Sequence, residues 1–214
     1  MKAVVLLSGS GVPEAMLEEE LACADTVVSA DGGAAHLARL GRMPHVLVGD
    51  MDSIDKALLQ QIESSGAVIV RAVAAKDETD GQLAVDEAIT RGTTELVLLG
   101  ALGGRVDHLL GNLMLLIRAA MRGVRAVIRD GGCEIFAATG PVTVSGEVGQ
   151  TVSILPAGCG VSVRYLDGFQ FGTREPLPLP IYAPVGVSNV LTAKEAHASV
   201  EGWGYIILVG SHMV

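Results

Sequence analysis

Apolar and polar positions follow one rhythm up to about residue 130 and another beyond it. In the first part, short apolar runs near residues 2–7, 25–29, 45–48, 67–73, 95–100 and 124–129 read as buried strands. Segments with helical spacing separate them. Pro13–Ala24 opens with a proline, which a first helical turn tolerates. Ile54–Ser65 follows Ser53, an N-cap candidate. Thr79–Arg91 sets Leu83, Ala84, Ala88 and Ile89 on one face, and Arg105–Arg122 repeats Leu109, Leu113, Leu116 and Ile117 before Gly123. Strands and helices alternating in units of this size predict a parallel sheet covered by helices on both faces.

Beyond Asp130 the segments shorten and turn residues multiply. Glu134–Ala138, Val142–Ser145, Thr151–Leu155, Val161–Leu166 and Tyr205–Val209 read as strands of a β-sandwich or barrel. Glu175-Pro176-Leu177-Pro178-Leu179-Pro180 is extended and cannot join a central strand. The pattern therefore divides the chain into an α/β domain over 1–130 and a β domain over 131–214. The tail Gly210-Ser211-His212-Met213 resembles a cloning scar.

Composition narrows the partners. Half of the 214 residues are hydrophobic but only 3% aromatic, so the cores are aliphatic. A formal charge of −9 argues against a nucleic-acid surface. No apolar run reaches the length of a membrane span, and the first residues fit a strand better than a signal peptide. Cys23, Cys133 and Cys159 are odd in number and scattered, which suggests a reducing cytosol rather than a disulfide framework.

The chemistry gathers where the apolar runs stop. Val27–Ala30 runs into Asp31-Gly32-Gly33, His45–Val48 into Gly49-Asp50-Met51-Asp52-Ser53, Ala67–Val73 into Lys76-Asp77-Glu78-Thr79-Asp80, and Leu96–Leu99 into Gly100 to His108. Open α/β sheets bind ligands at this carboxyl edge. Clustered carboxylates repel one another unless a cation sits among them, and hard oxygen ligands suit Mg²⁺, which in turn brings phosphates. If Asp50 and Asp52 continue an extended strand, they point the same way and can share one ion. The glycines of Asp31-Gly32-Gly33 and of Ser8-Gly9-Ser10-Gly11 permit close approach of phosphate. Arg105 can stabilise charge on a transferring phosphoryl group. Asp107, His108 and Asn112 lie close together on a helix. Taken singly, each motif also reads as an ordinary turn or helix cap.

In order and spacing these segments resemble the thiamine pyrophosphokinase (thiamine diphosphokinase) family. Its DGG turn, GDxDS turn, KDxTD element and GGRxDH sequence with a following helical asparagine correspond to Asp31–Gly33, Gly49–Ser53, Lys76–Asp80, and Gly103–His108 with Asn112. Val152-Ser153-Ile154-Leu155-Pro156 and Gly186-Val187-Ser188-Asn189 extend the likeness into the second part. The resemblance implies a Rossmann-like domain, a β-sandwich, and a cytoplasmic homodimer that binds thiamine near its subunit interface. It implies transfer of pyrophosphate from ATP to thiamine with release of AMP. On this reading Asp31, Asp50, Asp52 and Asp80 hold Mg²⁺ directly or through water, and Asp50, Asp52, Asp80 and Arg105 serve catalysis. Asp31, Gly32, Gly33, Asp77, Arg105, Asp107, His108 and Asn112 face the nucleotide. Ser188, Asn189 and Trp203 face thiamine, with Tyr205 a rival to Trp203 as the stacking aromatic. Two alternatives keep some of these features: a pyrophosphokinase acting on another alcohol, such as a hydroxymethylpterin, and a sensor that binds nucleotide or thiamine without turnover.

Overall fold

A computed structural model describes residues 1–72 and 77–210. Lys76 of the KDxTD element, the end of the strand expected over 67–73, and the tail from Ser211 lie outside the described residues. The chain divides into two compact units, Met1–Gly131 and Gly132–Val214.

The first unit runs β1 (Lys2–Leu6), α1 (Glu14–Ala22), β2 (Thr26–Ala30), a 3-10 turn (Asp31–Gly33), α2 (Ala34–Arg39), β3 (Val46–Gly49), α3 (Lys56–Ser64), β4 (Val68–Arg71), α4 (Asp80–Thr90), β5 (Glu95–Leu99), α5 (Val106–Ala120) and β6 (Arg125–Asp130). All its strand pairs are parallel, in the order β6-β5-β1-β2-β3-β4. Central strands of such a sheet are buried on both faces and need unbroken apolar runs. β1, β2 and β3 are buried from their second residue or earlier, whereas the edge strand β4 is partly exposed. Alternate residues of β1 serve opposite faces. Val4 and Leu6 pack with Leu17 and Leu21 of α1 and Leu37 of α2. Leu7, of the opposite parity, lies beside Gly81 of α4, which also faces Leu115 of α5. Helices thus cover both faces.

The local signals hold with one correction. Thr79 caps α4 by accepting from the Gln82 N–H. The cap of α3, however, is Asp55, which accepts from Ala57 and Leu58, and not Ser53. The chain after β3 spends residues 50–53 on a turn before the helix begins.

The second unit runs β7 (Cys133–Ser145), β8 (Thr151–Pro156), β9 (Ser162–Asp167), β10 (Leu177–Pro178), β11 (Asn189–Val190) and β12 (Glu195–Val209). Two strands are much longer than their apolar runs suggest. β12 pairs with β7 along both halves, and the register shifts between Val200 and Gly204. Such an irregularity bends a strand pair. Before it β12 pairs with β9, and after it with β8. β10 and β11 extend these two edges. The unit closes as a β-sandwich over Val144, Ile154, Val163, Phe169, Leu191 and Ile206. The proline-rich stretch contributes only the two-residue edge strand β10, as a chain lacking amide donors must.

Candidate active site

Strand order reverses beside β1: β2, β3 and β4 follow on one side, β5 and β6 on the other. In open α/β sheets a ligand crevice forms at such a switch point, beyond the carboxyl ends of the strands. A cleft of about 520 Å³ occupies it, lined by residues of the loops after β1, β2 and β5 and by the starts of α4 and α5.

Asp31, Asp50 and Asp80 meet at this edge. One carboxylate oxygen from each lies within 4.8 Å of the other two. They come from three strand ends or the following helix, so only the parallel sheet unites them. Asp31 is buried at 4% exposure, while Asp50 and Asp80 are half-buried. Asp31 Oδ2 accepts from the Ser53 N–H at 3.1 Å. Its Oδ1 is buried with no hydrogen-bond partner. Burial pushes the Asp31 carboxyl above its ordinary range, opposed by the Ser53 hydrogen bond and reinforced by the charges of Asp80, Asp52 and Asp50. An unsatisfied carboxylate oxygen inside an all-oxygen cluster is where a hard divalent cation fits.

The backbone is bent to achieve this convergence. Among the described residues three non-glycines have positive φ: Asp31 (40°), Met51 (67°) and Ser188 (60°). All three sit in motifs singled out from the sequence. Positive φ is costly for a residue such as Met, and it persists where the surroundings enforce it. Gly49 lies between the acids with φ 148°; a Cβ there would meet Asp31 Cβ at 2.9 Å and Asp80 Cγ at 3.3 Å. Any side chain at this position would push the trio apart.

Asp52 departs from the expected arrangement. β3 ends at Gly49 and the chain turns at Met51, so Asp50 and Asp52 are not alternate residues of one strand. Instead, Asp50 accepts from the Asp52 N–H at 3.2 Å, and Asp52 accepts from the Ser53 hydroxyl at 2.7 Å. Among the described residues, Asp52 is outside the three-carboxylate group. Asp77 is exposed. Gly32 lines the cleft, but Gly33 is packed behind it, where a Cβ would collide with the Leu6 carbonyl at 2.3 Å.

The opposite wall is the loop from β5 into α5. Gly103, Gly104, Arg105, Asp107, His108 and Asn112 all line the cleft. Arg105 is exposed and forks onto the Asp107 carboxylate at 3.1 and 2.6 Å. That fork holds the Asp107 carboxyl down at about 2. The Asn112 amide donates to the Ala101 carbonyl at 2.8 Å, which shapes the loop from inside.

In the second unit, the residues expected to face thiamine are partly engaged in the fold. The Ser188 N–H donates to Ser153 Oγ at 3.0 Å. Asn189 accepts from the Phe171 N–H and donates to the Phe171 carbonyl, both at 3.0 Å, so its amide staples a loop. Trp203 is half-buried within the β12 irregularity, and its carbonyl accepts from the Ala157 N–H. Ser188 thus meets the β8 segment at Ser153 and Trp203 meets it at Ala157. Four residues of extended chain separate those points by roughly 13 Å. Tyr205 lies on β12 beyond the irregularity, half-buried.

Two polar residues behind the cleft escaped the sequence reading. Asp130, at the end of β6, is buried and accepts from the Leu102 N–H at 2.8 Å. His36 of α2 is buried against the Gly9 carbonyl. Asp130 ends an apolar run before two glycines, the same signal as the other acids. A lone histidine in a six-residue helix carries none.

Known proteins resemble this chain in sequence and in fold. A family model described as "Thiamin pyrophosphokinase, catalytic domain" matches residues 17–128. A thiamine pyrophosphokinase of Bacillus subtilis (strain 168) is 32% identical over 103 residues, 48% of this chain and 48% of that protein. Thiamine pyrophosphokinase 1 of Oryza sativa subsp. japonica is 35% identical over 156 residues, 63% of this chain and 57% of that protein. The matched segments thus span about half the length of these relatives. Among solved structures, a Bacillus subtilis thiamine pyrophosphokinase superimposes with a TM-score of 0.83 at 23% identity, covering 99% of this chain and 100% of the other. A thiamin pyrophosphokinase from Candida albicans gives 0.83 at 16% identity, covering 97% and 90%. At such identities the likeness establishes the fold of both units.

Proposed function

The chain belongs to the thiamin pyrophosphokinase family, and from that premise we propose that it transfers a pyrophosphoryl group from ATP to the hydroxyl of thiamine, yielding thiamine diphosphate and AMP. The observation that carries the reading is the trio Asp31, Asp50 and Asp80, of which Asp31 and Asp80 line the switch-point cleft, with Asp31 Oδ1 buried and unpaired. Its donor set fits Mg²⁺, which when bound would neutralise phosphate charge and polarise the transferring group. Asp31, Asp50 and Asp80 would hold the ion, and Asp52 would act through water.

Arg105 exchanges its Asp107 partner for phosphate oxygens when the nucleotide enters. Its planar fork suits either acceptor. The thiamine hydroxyl oxygen attacks the β-phosphorus, the bridge to the α-phosphate breaks, AMP departs and the hydroxyl proton is released. The side chains contribute position and charge, which is most of what phosphoryl transfer asks of a protein. Ser188, Asn189 and Trp203 contribute to the thiamine site, which a homodimer would complete. Exposed Phe171, Ile181, Tyr182, Val185 and Val187 in the same unit support a covered surface there.

Incubation with ATP, Mg²⁺ and thiamine, followed by product identification, tests the reading. AMP and thiamine diphosphate are expected. ADP with thiamine monophosphate would make it a simple kinase, turnover of a hydroxymethylpterin in preference to thiamine would change the substrate, and binding without turnover would make it a sensor.

A further inference from the structure

The loop after β1, Ser8-Gly9-Ser10-Gly11, lines the cleft through Ser8 and Gly9 yet carries no charged side chain, so its position depends on what holds its backbone. The Gly9 N–H donates to the Gly100 carbonyl at 2.9 Å, which ties it to the loop after β5. The two glycines pack so tightly that a Cβ on Gly9 would lie 2.4 Å from the Gly100 oxygen. The Gly9 carbonyl stays beside Gly100, where a Cβ would lie 3.1 Å from its oxygen, and is taken by His36 Nε2 at 3.0 Å. A Cβ on Gly100 would come within 3.2 Å of the same nitrogen, so the imidazole uses the space that Gly100 leaves open. At His36 Nδ1 the Arg39 guanidinium donates at 2.9 Å, while reaching toward the Val12 carbonyl at 3.4 Å.

These partners fix the tautomer. Nδ1 accepts from a guanidinium, which cannot accept, so the proton resides on Nε2 and is donated to Gly9. Burial and then the Arg39 charge push His36 below its usual value, against the pull of the Gly9 and Leu7 carbonyls, so the ring stays neutral. His36 also lies five residues after Asp31, on the helix that continues the Asp31 turn. It joins the acid turn to the glycine loop.

We propose that His36 is a positioning residue for nucleotide binding: through its Nε2–H it holds the Gly9 loop against the loop after β5, in the place where phosphates of the nucleotide must pass. This rests on the ATP-dependent reading above. The Gly9 loop contributes no ligand to the carboxylate trio, so loss of the Nε2–H should weaken nucleotide binding more than it slows the bound complex.

The test uses side chains that imitate one ring nitrogen each. His36→Gln keeps a donor near the Nε2 position, and His36→Asn keeps only a group near Nδ1. Binding of a non-hydrolysable ATP analogue with Mg²⁺ is measured by calorimetry, alongside KM for ATP, kcat and thermal melting. His36→Asn should raise Kd and KM on the order of tenfold, the scale of one buried carbonyl left without a donor, with kcat changed by less. His36→Gln should recover most of the loss. The exposed Arg39→Met releases the ring from its Nδ1 side and should raise Kd by a smaller factor; this variant decides the matter if His36→Asn does not fold. Equal Kd for wild type, Arg39→Met and any folded His36→Asn protein would overturn the proposal, as would a loss confined to kcat or to melting temperature. A wild-type protein that fails to bind the analogue would overturn the ATP-dependent reading itself.

Discussion

The acid edge of the first unit and the Ser188-Asn189 segment of the second contain the residues that the motifs single out, but they treat them differently. At the acid edge polar capacity is left over. Asp31 Oδ1 has no partner and three carboxylates crowd together. In the Ser188-Asn189 segment capacity is used. Asn189 spends both ends of its amide on Phe171, and the Ser188 backbone is pinned to Ser153. Matching a family motif therefore does not by itself assign a residue to chemistry. Buried atoms without partners indicate a ligand to come, whereas saturated ones indicate a residue that shapes the wall.

The largest separation of the two regions should come from Asp80→Asn. Removing one carboxylate from the trio should abolish Mg²⁺-dependent turnover while leaving the metal-free fold as stable as wild type or more so, because like charges have been relieved. Product assays and melting curves in chelator check both halves. Retained turnover would remove Asp80 from the ion site.

Arg105→Ala should follow, with kcat lowered on the order of 10²–10³, the usual effect of losing one charge-stabilising donor. Lysine should restore only part, lacking the planar fork. Because Arg105 is exposed and its visible partner is Asp107, melting should hardly change. An unchanged kcat with a raised KM for ATP would make Arg105 a ground-state clamp.

A smaller effect should follow Asn189→Ala. Releasing the Phe171 loop should cost about 1 kcal/mol of stability and raise KM for thiamine more than it lowers kcat. A kcat loss as large as that of Arg105→Ala would move Asn189 into the reacting centre and erase the contrast.

The subtlest test is the pH dependence of metal stabilisation. The Asp31 carboxyl is raised in the fold, so its contribution to stability is present below its ordinary value of 3.8 and is lost as pH rises through the folded value. Asp86, on α4, runs the other way. Burial alone would raise its carboxyl, but the hydrogen bonds of Arg118 and Arg122 outweigh that and lower it. Its contribution is present above 3.8 and lost as pH falls through the lowered value. Mg²⁺ should therefore raise the melting temperature more at pH 7 than near pH 4 in wild type and in Asp86→Asn alike. An increment independent of pH would separate ion binding from Asp31 ionisation.

Much of this was legible in the chain itself. Short apolar runs that stop at glycine and acids read as strands buried on both faces, so β1, β2, β3 and β5 and their ends could be read by local rules. The Thr79 cap and the edge role of the prolines are local chemistry as well. Other features depend on contacts between distant residues. That Asp31, Asp50 and Asp80 meet while Asp52 stands aside depends on strand order and on a reversal at Met51. The fusion of two apolar runs into β7, and the extension of β12 back from Tyr205 to Glu195, depend on pairing along both halves of a bent ribbon. His36 gained its role only when folding brought Gly9 and Gly100 together beneath it. Periodicity reports which face of an element avoids water. It cannot report which side chains, tens of residues apart, are then forced to share the same few ångströms.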